Sequence, residues 1–430
     1  MRRRNVRAIA AEMLARVAVD HRSLDRVFAE ASVAESDRAL AQEIVYGCTR
    51  HYYSLAAEVQ SRLRTPLKTR DAIVACLLLV GVYQLRHMRV PHYAAVNETV
   101  AAAAQIGRPW ARGLVNQLLR RAASEGAPPP HTEEEAFDHP DWLIRLLKRD
   151  LPNDWRAVLE ASLTRAPLSL RINLSRVARD AYSRRLTAIG ATAQTTDVDE
   201  CLVLQDPMPA ARIPGFIDGE VSVQDSSAMW PARLLQAAGA ERVLDACAAP
   251  GGKAMHLIER DPRIELTALD VDEARCATLE SECARCGVDP TIVVRGDATR
   301  LDWWDGRPYD AILLDAPCSG TGTLRRHPDI KLLKHESDIA QYRRLQGEML
   351  ANLWNVLAPR GRLLYCTCSV LSGENDFVVD DFVSQTPSAC VQRLAVPGSV
   401  ETRHGRQLLP KVGAGDGFYF SLIIKKEQAA

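Results

Sequence analysis

From Arg242 onward the chain repeats one pattern five times. The segments ERVLDACAAPGG, IELTALDVD, TIVVRGDAT, YDAILLDAP and GRLLYCTCS are short apolar runs separated by helix-length stretches. Runs of this kind, alternating with helices, predict the βαβ rhythm of a doubly wound parallel sheet. Two of the strand ends carry thiols. ILLDAPCSGTG places Cys318 just past one strand, and LLYCTCSVLSGEN places Cys366 and Cys368 at the end of another.

At 430 residues the chain exceeds the usual size of one core, and its patterning changes twice. Val6 to Ala123 has apolar residues at three- and four-residue spacing almost throughout, which predicts helices. GAPPPHTEEEAFDHP, residues 126–140, reads as a linker. A short helical stretch follows, and then LSLRINL, ATAQTTDVDECLVLQ and GEVSVQD predict small strands and turns. The expected organisation is an all-α domain at 1–130, a small α+β segment at 141–235 and an α/β domain at 236–430.

An apolar fraction of 47% and a charged fraction of 25% fit an ordinary soluble protein. The basic start MRRRNVRAIAAEMLARV is interrupted by Glu12 and Arg16, so it predicts a helix and not a secretion signal. IVACLLLVGVYQL, Ile73 to Leu85, is too short for a bilayer of roughly 30 Å and predicts a buried core helix. Eleven cysteines in no regular framework suit reduced thiols in the cytoplasm. The CxxC at Cys283 and Cys286, near Cys276, has helical periodicity and no second ligand pair, so no metal is expected. Net charge is zero, but residues 1–130 hold 19 Lys+Arg against 11 Asp+Glu. A second cluster, Arg165, Arg171, Arg176, Arg179, Arg184 and Arg185, is offset only by Asp180. Two basic regions on a neutral chain predict a bound polyanion.

VLDACAAPGGKAMHL reads as strand, turn and helix. Cys247, Ala248, Ala249, Pro250, Gly251, Gly252 and Lys253 form a small-residue loop whose backbone a ligand can approach at the helix amino end. A phosphate-binding GxxxxGK[ST] fails, because the first glycine is missing and Ala254 replaces the hydroxyl residue. Asp270, twenty-five residues after Asp245, closes the next strand, where a carboxylate can accept both hydroxyls of a ribose. Asp297 in GDAT ends a third strand, within reach of an adenine amino group. DACAAPGG matches GxGxxG poorly, so nicotinamide dinucleotide stays open while an adenosine ligand without pyrophosphate fits better. S-adenosylmethionine is the expected cofactor, with Asp315 completing the contact set.

DACAAPGGK, LDAPCSGTG, RRHPDIK and YCTCSVLSGEN, in that order and spacing, resemble the RNA cytosine-C5 methyltransferases, and most of all the Sun/Fmu (RsmB) type that acts on small-subunit ribosomal RNA. Residues 1 to about 130 resemble the NusB antitermination-factor domain of that subgroup, through helical pattern and through AVNETV and GLVNQLLRR. The resemblance implies a Rossmann-like methyltransferase domain and a monomer acting on 16S ribosomal RNA, bare or in a small-subunit assembly intermediate. Transfer RNA is the alternative substrate, and a non-catalytic RNA-binding, antitermination-like protein the alternative class.

The chemistry asks for a nucleophile, because carbon 5 of cytosine attacks a methyl sulfonium only after covalent addition at carbon 6. The resemblance assigns that addition to Cys368, with a helix expected from about Ser372 to steady the thiolate. It offers Asp315 for nitrogen 3, where a partly protonated carboxyl would be needed. It gives Cys318 a part in releasing the product. DNA cytosine methyltransferases use a cysteine in the motif of Cys318, and the TCS cysteine argues against such an enzyme. Cys366 reads as a packed thiol, and Lys253 as a contact to the cofactor or to the target base.

Overall fold

A helix that is apolar around its whole circumference is stable only inside a protein, and the run at Ile73–Leu85 forms one. It is α5 (Ala72–His87), with residues 76–85 all buried. The computed structural model describes residues 4–289 and 292–427. It divides into two compact units, residues 1–165 with 324–336 and residues 166–323 with 337–430.

In the first unit α1 (Val6–Ala18), α3 (Glu35–Arg50), α4 (Tyr52–Arg62), α6 (His92–Gln105) and α7 (Arg112–Ser124) pack around α5, with the short α2 (Leu24–Glu30) against α1. The Asn5 side chain caps α1 by accepting from Arg7 N at 2.8 Å. Gly81 lets α7 come close, since a Cβ there would sit 2.6 Å from Leu119 Cδ1. The proline-rich stretch leads to α8 (Glu133–Phe137), α9 (Asp141–Asp150) and α10 (Trp155–Ser162). Asp138 accepts from Ser54 N at 2.8 Å and from Ser54 Oγ at 2.9 Å, which ties this stretch back onto α4. The break in packing therefore falls at Arg165, and the helices expected to open the small α+β segment pack with the helical unit.

Residues 324–336 also belong to this unit. They contain RRHPDIK and a one-turn helix, Ile330–Leu333. Asp329 accepts from Leu24 N at 2.9 Å. The Lys331 amine donates to the carbonyl oxygens of Asp138, at 2.5 Å, and of Arg50. Burial pushes this amine down to about 7.

The second unit begins with an antiparallel sheet of order β2-β3-β1-β4, made by β1 (Leu168–Ile172), β2 (Ala193–Thr195), β3 (Cys201–Leu204) and β4 (Val221–Val223) and packed on α11 (Arg179–Ala188). After α12 (Trp230–Leu235) come β5 (Arg242–Ala246), α13 (Gly252–Arg260), β6 (Glu265–Asp270), α14 (Glu273–Cys286), β7 (Val293–Arg295), β8 (Tyr309–Asp315), α15 (Glu336–Val356), β9 (Leu357–Thr367) and α16 (Asp376–Gln385). Strands β9-β8-β5-β6-β7 are parallel neighbours. β13 (Phe418–Lys425) adds antiparallel to β9; β12 (Arg406–Leu408) and β10 (Ala389–Gln392) pair with β13, and β11 (Val400–Glu401) pairs with β12. Cys276, Cys283 and Cys286 are buried on α14. Among the described residues no helix is long and apolar enough to cross a membrane.

Candidate active site

The chain runs from β5 through β6 to β7 on one side and returns to β8 and β9 on the other, so strand order reverses between β5 and β8. A crevice forms beyond the carboxyl ends of the strands at such a point. Every residue singled out from the sequence lies at one of these ends. The loop Cys247–Lys253 follows β5, Asp270 closes β6, Asp297 follows β7, Asp315 closes β8, and Cys368 follows β9.

The loop after β5 turns sharply. Cys247 has φ +71° and Gly251 φ +108°, and a Cβ on Gly251 would lie 2.7 Å from Leu279 Cδ1. Ala248 N donates to Leu269 O at 2.8 Å, and Ala249 N to Asp270 Oδ2 at 3.2 Å. Arg275 reaches Ala249 O at 2.6 Å and lies 3.2 Å from Asp270. Asp270, buried at the end of β6, thus holds the loop. Asp297 spends Oδ1 on Thr299 N and Oγ1, at 2.9 and 2.8 Å, and Oδ2 has no partner among the described residues.

Lys253 stands on the first turn of α13 and donates to Asp315 Oδ2 at 2.6 Å. Its ammonium also lies 5.1 Å from the centre of the Phe418 ring. Burial works against this charge, but Asp315 and the thiols of Cys366 and Cys368 more than offset it and push the amine above its usual range. The donor in this pair is the lysine, and Asp315 accepts. Cys366 is fully buried and donates to Asp315 Oδ1 at 3.5 Å; burial, then Asp315, pushes its thiol well up.

The Sγ atoms of Cys318 and Cys368 are 3.4 Å apart, each half-buried. The hydrogen bond with Cys368, with burial second, raises the Cys318 thiol far above its ordinary value. The helix expected from Ser372 is a single 3-10 turn, Ser372–Glu374, and α16 begins only at Asp376. Dipole support for the Cys368 thiolate is therefore lost, because that effect fades within one turn.

Glu374, which the sequence reading left without a role, joins the two thiol loops. Its buried carboxylate accepts from Ser319 N at 2.7 Å, Ser319 Oγ at 2.6 Å and Ser369 Oγ at 2.7 Å. Each serine directly follows one of the cysteines. Gly322 N donates to Cys368 O at 2.9 Å, and a Cβ on Gly322 would stand 2.4 Å from Gly417 O.

The arginine cluster is mostly structural. Arg171 is fully buried, bonded to Glu259 at 2.7 and 2.8 Å and to Gly252 O at 2.5 Å. Arg176 donates to Asp218 O and Cys286 O, and Arg185 pairs with Glu220 at 2.5 Å. Within the second unit Arg184 is the cluster's exposed arginine with no partner among the described residues.

A family model described as 16S rRNA methyltransferase RsmB/F matches residues 232–424, the NusB family matches 4–124, and an RsmF/B-like ferredoxin-like domain matches 139–211. The ribosomal RNA small subunit methyltransferase B of Pseudomonas syringae pv. tomato is 39% identical, covering 98% of this chain and 97% of its own. That of Vibrio cholerae is 39% identical over 98% of both chains. The chain belongs to the RsmB/F methyltransferase family. It is an S-adenosylmethionine-dependent RNA methyltransferase with a NusB-like domain, a ferredoxin-like segment and a Rossmann-like domain.

The crevice suits the RsmB/F cofactor. Asp297 Oδ2 is an open acceptor that an adenine amino group would fit, whereas buried Asp270 already accepts from Ala249 N and Asp272 N, each at 3.2 Å. Gly251 packs against Leu279, and α13 begins at Gly252. Two solved structures share the fold: the protein PH0851, with TM-score 0.82 at 22% identity over 98% of this chain and 99% of its own, and a methyltransferase homologue from Pyrococcus horikoshii, with 0.58 at 26% over 66% and 98%.

Proposed function

We propose that the chain methylates carbon 5 of a cytosine in 16S ribosomal RNA through a covalent bond between Cys368 and carbon 6. The observation that carries this reading is the thiol pair, 3.4 Å apart beyond β8 and β9. The relatives named as small-subunit ribosomal RNA methyltransferases support the choice of RNA.

The Cys368 thiolate forms an S–C6 bond, and the ring electrons move to carbon 5 and the N3 side. The Lys253–Asp315 pair faces that charge and stabilises it. S-adenosylmethionine supplies an electrophilic methyl group, which carbon 5 takes. The carbon-5 proton must then leave, its bonding electrons expelling Cys368 as thiolate. Cys318 is raised chiefly by Cys368. Once Cys368 is bound to carbon, that cause is removed; Cys318 then gives up its own proton to solvent, and as a thiolate it takes the carbon-5 proton. The target base must leave its stack to reach both sulfurs. The arginine-rich helical unit and the α+β segment contribute affinity for the RNA.

Cys368→Ala should abolish methyl transfer and covalent adduct alike. Cys318→Ala should still attack but release slowly, so that a methylated enzyme–RNA adduct survives denaturing electrophoresis. An adduct with Cys368→Ala and none with Cys318→Ala would reverse the roles. Loss of 5-methylcytosine confined to transfer RNA in cells lacking the gene would refute the choice of substrate.

A further inference from the structure

In the helical unit, the α4–α5 loop, the turn at Gly107–Ala111 and the outer side of α7 enclose a cavity of about 950 Å³. Six cations line it: Arg62, Arg64, Lys68, Arg70, Arg108 and Arg121, of which Arg62 pairs with Glu58 at 3.3 Å. One acid, Asp71, faces them and is shared between Arg108 at 3.4 Å and Arg70 at 3.7 Å. Glu125, outside the cavity, takes Arg121 at 2.9 Å. The side chains of Arg64 and Lys68 are exposed and make no ion pair or hydrogen bond among the described residues.

The cavity also presents Trp110, which leaves 55% of its surface exposed. Its indole has no hydrogen bond or ring contact among the described residues. Bare tryptophan on a charged surface is costly unless something covers it. Two cations without acids to pair with, Arg64 and Lys68, and two that share the single carboxylate of Asp71, beside an open aromatic face, form the pattern that takes phosphates and a stacked base of single-stranded nucleic acid. An acidic peptide would satisfy the charge but would leave the ring without its natural partner. The volume lies within the range of pockets that enclose a small ligand, enough for an unpaired nucleotide.

We propose that this cavity is an RNA-binding site, with Arg64, Lys68, Arg70 and Arg108 on phosphates and one unpaired base stacked on Trp110. The inference rests on the reading of the chain as an RNA methyltransferase and adds where in the helical unit a single-stranded segment of the substrate is held.

The full-length enzyme and a 16S ribosomal RNA transcript test it, by filter binding and by methyl transfer over a range of salt. Arg64→Ala with Lys68→Ala should raise the RNA dissociation constant about tenfold at 0.1 M salt and make the log–log salt slope shallower by about 1.4, two single-strand phosphate contacts. Trp110→Ala should weaken binding at least about fivefold without changing the slope, as expected of stacking. In both, KM for RNA should rise while KM for S-adenosylmethionine stays at its parental value. Parental affinity and slope in both variants would overturn the proposal and leave an acidic protein surface as the partner of this face. Binding is read separately from turnover, so a transcript that binds but is not methylated would sink the proposed substrate and leave the cavity standing.

Discussion

Lys253 donates to Asp315 Oδ2 across 2.6 Å and so joins the loop after β5 to the end of β8. Its two possible roles, on the cofactor or on the base, predict different losses. In this geometry Lys253→Met should lower kcat about a hundredfold or more, the range of a lost acid–base or charge-stabilising group. The dissociation constant for S-adenosylmethionine, read by calorimetry, should move only a few-fold. A large loss of cofactor affinity with kcat retained would place the lysine on the cofactor instead.

Glu374 should behave as a positioning residue. Glu374→Ala removes three hydrogen bonds and strands a buried Ser319 N, a loss of about 2–4 kcal/mol. Methyl transfer should fall with it, and the rate of Cys368 alkylation by iodoacetamide should change, because both thiol loops lose their common anchor. Glu374→Gln keeps an acceptor oxygen and should recover much of each. Unaltered alkylation in Glu374→Ala would show that the thiol geometry does not depend on it.

Arg171 and Glu259 make a buried pair beside Gly252. Arg171→Met leaves the Glu259 carboxylate unpaired and should cost roughly 3–5 kcal/mol in urea unfolding. The double change Arg171→Met with Glu259→Leu should regain most of that, since apolar pairs often replace buried ion pairs without loss. Cofactor affinity should stay weakened in the double variant, because Gly252 O has still lost its donor. Full recovery of affinity would separate the arginine from the loop.

His256 is buried and bonded through Nε2 to Glu200 at 2.8 Å, and burial pushes it down to about 4 against the pull of Glu200. Its folded value lies below its unfolded value of about 6.5, so the unfolded chain takes up the proton first. The resulting stability is fully present above about 6.5 and is lost as pH falls towards 4. The stability difference between the parent and His256→Gln should therefore be about 3 kcal/mol smaller at pH 4 than at pH 7. A difference independent of pH would mean that His256 is not held neutral.

What could be read from the sequence was what local pattern encodes. The circumferential apolarity of α5, the small-residue turn after β5 and the thiols at two strand ends all depend on near neighbours. Arg171 was read as a cation for RNA because a strand arginine looks the same whether it faces solvent or a carboxylate 88 positions away. Glu374 was passed over because its partners, at 319 and 369, meet only through the pairing of β8 with β9. The packing break at Arg165 depends on Asp138, inside the proline-rich stretch, reaching back to Ser54 84 positions earlier.

The segment 324–336 has a consequence for how the protein is made. The NusB-like helices emerge first from the ribosome, yet Leu24 N, Arg50 O and Asp138 O find their partners only in Asp329 and Lys331. At about 5–20 residues per second, that closing piece arrives roughly ten to thirty seconds after Arg165 has been synthesised. During that interval the front of the nascent chain is an unfinished fold with open polar contacts. It is completed only after β5 to β8 have been made, four of the nine strands of the methyltransferase sheet, so the two units mature as interleaved pieces of one chain.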